Sequence, residues 1–93
     1  MIISVFSNLN NKGVSVLAVN VVNKLISGGA EVYLSEEHEA VFAKTKAKFE
    51  TFDKAMSICD CAIAIGGDGT TLNIAKKAAF LGKPALGINA GRL

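Results

Sequence analysis

Cys61-Ala62-Ile63-Ala64-Ile65-Gly66-Gly67-Asp68-Gly69-Thr70 passes from an unbroken apolar run straight into a glycine-rich turn. Five consecutive apolar residues predict a central parallel strand covered on both faces. After the turn, Leu72, Ala75, Ala78, Ala79 and Leu81 recur at helical spacing, Gly82 stops the helix, and Pro84 to Ile88 resumes as a strand. Asp-Gly is also a strong hairpin signal, but a hairpin needs strand alternation after the turn, and Thr71 to Leu81 has helix-forming Ala and Lys instead. The stretch therefore reads as strand, glycine turn, helix, strand.

The N-terminal part repeats this plan. Ile2 to Ser7 is a short, largely apolar run bounded by the turn formers Asn8, Asn10, Asn11 and Gly13. Val14, Leu17, Ala18, Val21, Val22 and Leu25 fall on one helical face, Gly28 and Gly29 end it, and Glu31 to Ser35 predicts a second strand. Glu36 to Lys48 predicts a surface loop with a weak helix, of no legible function. His38, among three glutamates, is expected to be solvated. Asp53 to Ile58 predicts a helical turn capped by Thr51. Two right-handed crossover units give an α/β class, a Rossmann-like doubly wound parallel sheet in the order 2-1-3-4. Residues 1–93 form a single nucleotide-binding domain on this reading. Ligands of such sheets bind beyond the carboxyl ends, where the winding reverses, so the loops Asn8 to Gly13 and Gly66 to Thr70 are expected to share one crevice.

Composition narrows the partners. Of 93 residues 51% are hydrophobic and 19% charged, and the net charge of +2 is too mild for a nucleic-acid or membrane partner. All acids lie at or before Asp68, while Lys76, Lys77, Lys83 and Arg92 follow it, which suits a polyanionic ligand. Lys76 and Lys77 are more simply read as a solvated helix face. Cys59 and Cys61, with only His38 as a third candidate ligand, fall short of a zinc signature, so no metal ligand is assigned. Both read as buried or half-buried thiols. No signal sequence or membrane span is legible, and a reduced cytoplasmic setting is expected.

The glycine turn carries the chemistry. Gly66, Gly67 and Gly69 are expected to permit positive φ and to let a phosphate or ribose approach the backbone. Unpaired amides and the dipole of the following helix favour an anion there. Asp68 can accept a proton from a sugar hydroxyl or help orient a metal-bound phosphate, contributing ~10²- to 10⁴-fold as a base. A purely structural strand-to-helix connection is the plainer alternative. A P-loop is excluded, because no Gly-Lys-Ser/Thr follows. G-x-G-x-x-G fits Gly67 and Gly69 but meets Leu72 at its third glycine, with no acid downstream to hold a ribose.

The run Ile63 to Leu72, with Leu86-Gly87-Ile88-Asn89-Ala90-Gly91-Arg92-Leu93, resembles the two signature segments of NAD kinases. The GGDGT turn alone is shared with diacylglycerol and sphingosine kinases, and phosphofructokinases carry a GGDGS version. The G-I-N-x-G-x-L pattern discriminates, because lipid kinases of this group have a proline and a G-T pair there. The resemblance implies transfer of phosphate from ATP or polyphosphate, with a divalent cation such as Mg²⁺, to the 2′-hydroxyl of NAD. It implies Asp68 as catalytic base, Gly66, Gly67, Gly69 and Thr70 shaping the nucleotide pocket, and Asn89 at its edge. Thr71 departs from the bulkier apolar residue of many members. The family's β-rich second domain, absent from these 93 residues, implies an excised domain or fragment with little kinase activity alone, and a homo-oligomer in full-length form. A diacylglycerol-type lipid kinase and a non-catalytic nucleotide-binding module are the alternatives.

Overall fold

In the computed structural model, residues 1–10 and 13–89 are described. In chain order the elements are β1 (Ile2–Ser7), α1 (Val14–Ser27), β2 (Glu31–Ser35), a 3-10 turn (Glu36–His38), β3 (Lys48–Glu50), α2 (Phe52–Ile58), β4 (Cys61–Gly66), α3 (Asp68–Phe80) and β5 (Ala85–Asn89). All strand pairs are parallel, and the order is β3-β2-β1-β4-β5. The four strands expected from the sequence thus stand in the expected order. β3 is an addition at the edge of β2, pairing Lys48 to Glu50 with Tyr33 to Ser35.

Alternation along β1 sends its side chains into two cores, as the two-residue period of a strand requires. Ile3 and Val5 join Val32, Leu34, Ile63 and Ile65 beneath α1, which buries Val14, Ala18 and Val22. Phe6 joins Ala62 and Ala64 beneath α2 and α3, which contribute Ala55, Met56, Ile74 and Ala78. Each fully buried Val, Leu or Ile is worth ~1.5–3 kcal/mol relative to exposure, so the strands' continuous apolarity is what fixes the two-sided cover. Ser4, buried in β1, donates its hydroxyl to the Ala55 carbonyl at 2.6 Å and so ties the central strand to α2.

Three expectations need correction. Glu36 to Lys48 lies mostly on the surface as expected, but Phe42 is 1% exposed and anchors it in the core under α1, and Lys48 begins a strand. The buried residues of α3 are Ile74 and Ala78, whereas Leu72, Ala79 and Leu81 are exposed and Ala75 is half-buried. α3 lies over β4 and β5 at the margin of the sheet, and its apolar residues extend past the surface those strands cover. Lys83 is not kept for a ligand: its ammonium donates to the Ser57 and Cys59 carbonyls at 2.8 and 2.7 Å, satisfying the C-terminal end of α2. At the other end of α2, Thr51 accepts from the Lys54 amide as expected. Lys76 and Lys77 are exposed, with Lys77 placed 4.6 Å over the Phe52 ring. Cys59 is buried and Cys61 half-buried, both free.

Candidate functional site

β4 ends at Gly66 and α3 begins two residues later, with Gly67 as N-cap at φ −87° and ψ −172°. No glycine of the turn has a positive φ, contrary to the expectation for Gly66, Gly67 and Gly69; among the described residues only Gly13, Gly29 and Gly82 do. Two glycines here are required by close approach instead. A Cβ on Gly66 would meet Thr70 at 3.0 Å, and one on Gly87 in β5 would meet the Thr71 Cγ2 at 2.4 Å. The first turn of α3 therefore rests directly on the backbone of β4 and β5. Gly67 and Gly69 face open space, where an added Cβ would meet nothing within 4 Å, so a ligand has access to the backbone there.

The helix is primed for an anion. Its hydrogen bonding begins with the Thr71 amide donating to the Gly67 carbonyl at 3.1 Å, and Gly67 has no side chain to cap the amides that precede it. The sheet register sets Asn89 beside Gly66, and its Nδ2 donates to the Asp68 Oδ1 at 3.1 Å. The ends of β4 and β5 are thereby joined at the one carboxylate of the glycine turn. Asp68 and Asn89 line a shallow recess of about 300 Å³ with Thr71, Leu72, Ala75 and Gly87.

Thr70 faces elsewhere. It lines a recess of about 450 Å³ with Ser7, Asn8 and Asn10 at the end of β1 and with Ser35, Glu37 and His38 at the end of β2, over an apolar floor of Phe6, Phe52 and Ile74. The Asn8 amide donates to the Ile65 carbonyl at 3.0 Å, closing the gap between β1 and β4. The single crevice expected from topology is thus two recesses on either side of α3's first turn. Thr70 shares one with Asn8 and Asn10, while Asp68 and Asn89 share the other. Asn11, and Ala90 to Leu93 of the second signature segment, lie outside the described residues.

His38 departs from the solvated state expected of it. Its side chain is 26% exposed, stands 3.5 Å from the Glu37 carboxylate and walls the larger recess. Ser7, Ser35, Glu37 and His38 were not singled out as site residues; their signal was position alone, at the carboxyl ends of β1 and β2. Among the described residues, no three His, Cys, Asp or Glu side chains gather so as to hold a metal ion.

A family model for the ATP-NAD kinase N-terminal domain matches residues 2–93. The chain belongs to that family. The NAD kinase of Caldanaerobacter subterraneus subsp. tengcongensis is 36% identical over 91 residues, covering 98% of this chain and 32% of that protein. The NAD kinase of Bacteroides fragilis is 35% identical over 95 residues, covering 97% of this chain and 32% of that protein. That of Nitrosococcus oceani is 37% identical over 73 residues, 78% of this chain and 25% of its own length. The chain spans about a third or less of the length of these curated relatives, and none of the three is a lipid kinase. The five-stranded parallel sheet with its three helices is the Rossmann-like architecture that the sequence predicted for an NAD kinase N-terminal domain.

Proposed function

We propose that the protein carrying this domain is an NAD kinase, transferring phosphate from ATP to the 2′-hydroxyl of the adenosine ribose of NAD. The carrying observation is the Asp68–Asn89 hydrogen bond at the N-terminus of α3, which places an oriented carboxylate beside uncapped helix amides. Asp68 accepts the proton of the 2′-hydroxyl as the oxygen attacks, and Asn89, bonded to one carboxylate oxygen, positions the other. The amides and dipole of α3 stabilise negative charge on the transferred group. Proton removal by such a base contributes ~10²- to 10⁴-fold, and positioning and charge stabilisation supply most of the remainder.

Mg²⁺ fits this site as a cation held chiefly by donor phosphates, because it keeps several waters and takes one or two carboxylates rather than a full protein cage. Asp68 is the carboxylate of this chain that would face it, and the bound cation would neutralise charge on the donor phosphates. Polyphosphate is an alternative donor. Leu72, on the smaller recess, and Leu86, in β5, are 57% and 56% exposed, which supports the reading that a second domain covers this side and completes the NAD site. The 93 residues alone are then expected to turn over little NAD. Two free thiols accord with a reduced, cytoplasmic setting. We further expect the complete protein to act as a homo-oligomer without nucleic-acid or membrane partners; among the described residues no helix is long and apolar enough to cross a membrane.

The test is NADP formation by the full-length gene product with ATP and Mg²⁺, with diacylglycerol as the competing acceptor. NADP formation supports the proposal. Diacylglycerol phosphorylation, or nucleotide binding with no transfer, refutes it in favour of a lipid kinase or a binding module.

A further inference from the structure

The division of the site into two recesses assigns its two substrates. The base must touch the acceptor hydroxyl, so the acceptor belongs on the Asp68–Asn89 side of α3. The recess of about 450 Å³ on the other side is left to the phosphate donor, and its lining is graded along its length. At one end Thr70 stands in the first turn of α3, where an anion is favoured. At the other end Glu37, just past β2, presents a carboxylate that would repel phosphate. Its side chain is 70% exposed and its Oε1 accepts from the Ser35 hydroxyl at 3.4 Å, so it is both reachable and oriented. Between these ends the Ser7 Oγ is buried and has no hydrogen-bond partner among the described residues, although it belongs to the lining. A buried hydroxyl without a partner is an exception that calls for an explanation, and a turn about its χ1 would present it to a ligand in the recess.

We propose that this recess binds the donor nucleoside triphosphate in one orientation, with Glu37 accepting hydrogen bonds from the ribose hydroxyls and the phosphates running past Ser7 to Thr70. β1 separates β2 from β4 in the sheet, so the two ends stand about 10 Å apart at two strand spacings, a gap that a ribose and its phosphate chain can bridge. A carboxylate on a ribose hydroxyl is a general solution in βαβ nucleotide sites. Here it comes from the end of β2, in the half of the domain opposite to Asp68. The assignment of a donor and an acceptor rests on the kinase reading above, whereas nucleotide occupancy of this recess does not.

The experiment uses the full-length gene product and Glu37→Gln, a change at an exposed side chain that leaves the fold intact. Loss of a charge-assisted hydrogen bond is expected to raise KM for ATP by about tenfold or more, with kcat and KM for NAD within about twofold of wild type. With 2′,3′-dideoxy-ATP, wild type should show the same rise in KM, and Glu37→Gln should add nothing further. An undiminished dideoxy penalty in Glu37→Gln, or a rise confined to KM for NAD, overturns the assignment. Calorimetric binding of the β,γ-imido analogue of ATP separates the two readings. If the protein makes no NADP yet binds the analogue, and binds it about tenfold more weakly as Glu37→Gln, the kinase reading falls and the nucleotide site stands. Equal binding by the two proteins overturns the site itself.

Discussion

Replacing Gly87 by Ala tests the packing that holds the glycine turn in place. The new Cβ would lie 2.4 Å from the Thr71 Cγ2, 3.2 Å from its Oγ1 and 3.4 Å from its Cβ. Carbon atoms prefer ~3.5–4.0 Å, so the first contact is short by about 1 Å. Thr71 is β-branched and stiff at χ1, and its Cβ is itself close, so rotation gives little relief and α3's first turn must lift off β5. Overpacking of this kind costs ~1–3 kcal/mol. Gly87 is not in the left-handed region, so the alanine also removes unfolded-state freedom, which returns ~0.4–1 kcal/mol. The net loss is about 1–2 kcal/mol, a fall of about 1 M in the urea midpoint at the m value of a small domain. Asp68 rides on the turn that moves, and a displacement of ~1 Å can cost ~10²-fold in rate, so kinase activity of the full-length protein should fall as well. Thr71→Ser removes the Cγ2 and should recover most of both losses in the double variant. An unchanged midpoint for Gly87→Ala, or no recovery with Thr71→Ser, would refute this account of the packing.

Lys83→Met removes the ammonium that serves the Ser57 and Cys59 carbonyls and should cost about 1 kcal/mol by urea unfolding, with little effect on kcat. The hydrogen bond and charge of Lys48, with a further hydrogen bond from Tyr33, hold Glu31 below the usual carboxylate range. That contribution is present above the unfolded carboxyl's pKa and is lost as pH falls through the lowered value. The Lys48 pKa is raised by the same pair, so its share is lost only at strongly alkaline pH. Unfolding followed against pH should therefore show a loss of stability on acidification that Glu31→Gln reduces. It should also shrink in high salt, because the pair is exposed.

Most of the sheet could be read from the sequence because its central strands are buried on both faces. Cys61 to Ile65 carries that burial as continuous apolarity and Ile2 to Ser7 as a largely apolar run broken by Ser4, and helix spacing from Val14 to Leu25 leaves one assignment for the segment between the first two strands. β3 gave no such signal: it has three residues, two of them charged, and depends on pairing with β2. Phe42 sits in the short apolar patch Ala40 to Ala43 between charged stretches, and one anchoring side chain creates no period to reveal it. The identity of the glycine turn was legible, but its mechanism was not. Gly66 and Gly87 are needed for contacts with Thr70 and Thr71 that only the fold creates. Likewise, sequence joined Asp68 and Thr70 as near neighbours, whereas successive helical positions turn their side chains to different recesses. Glu37 and His38 came to the site through the end of β2, which charge pattern alone does not reveal.

The central claim is that Asp68 is the base of an NAD kinase, and the most direct measurement is the single-turnover rate of NADP formation by full-length Asp68→Asn. The amide keeps an oxygen for the Asn89 Nδ2 while losing the basic carboxylate. The expected rate is at least ~10²-fold below wild type, with NAD affinity within a few-fold. A variant that forms NADP at the wild-type rate would contradict the claim.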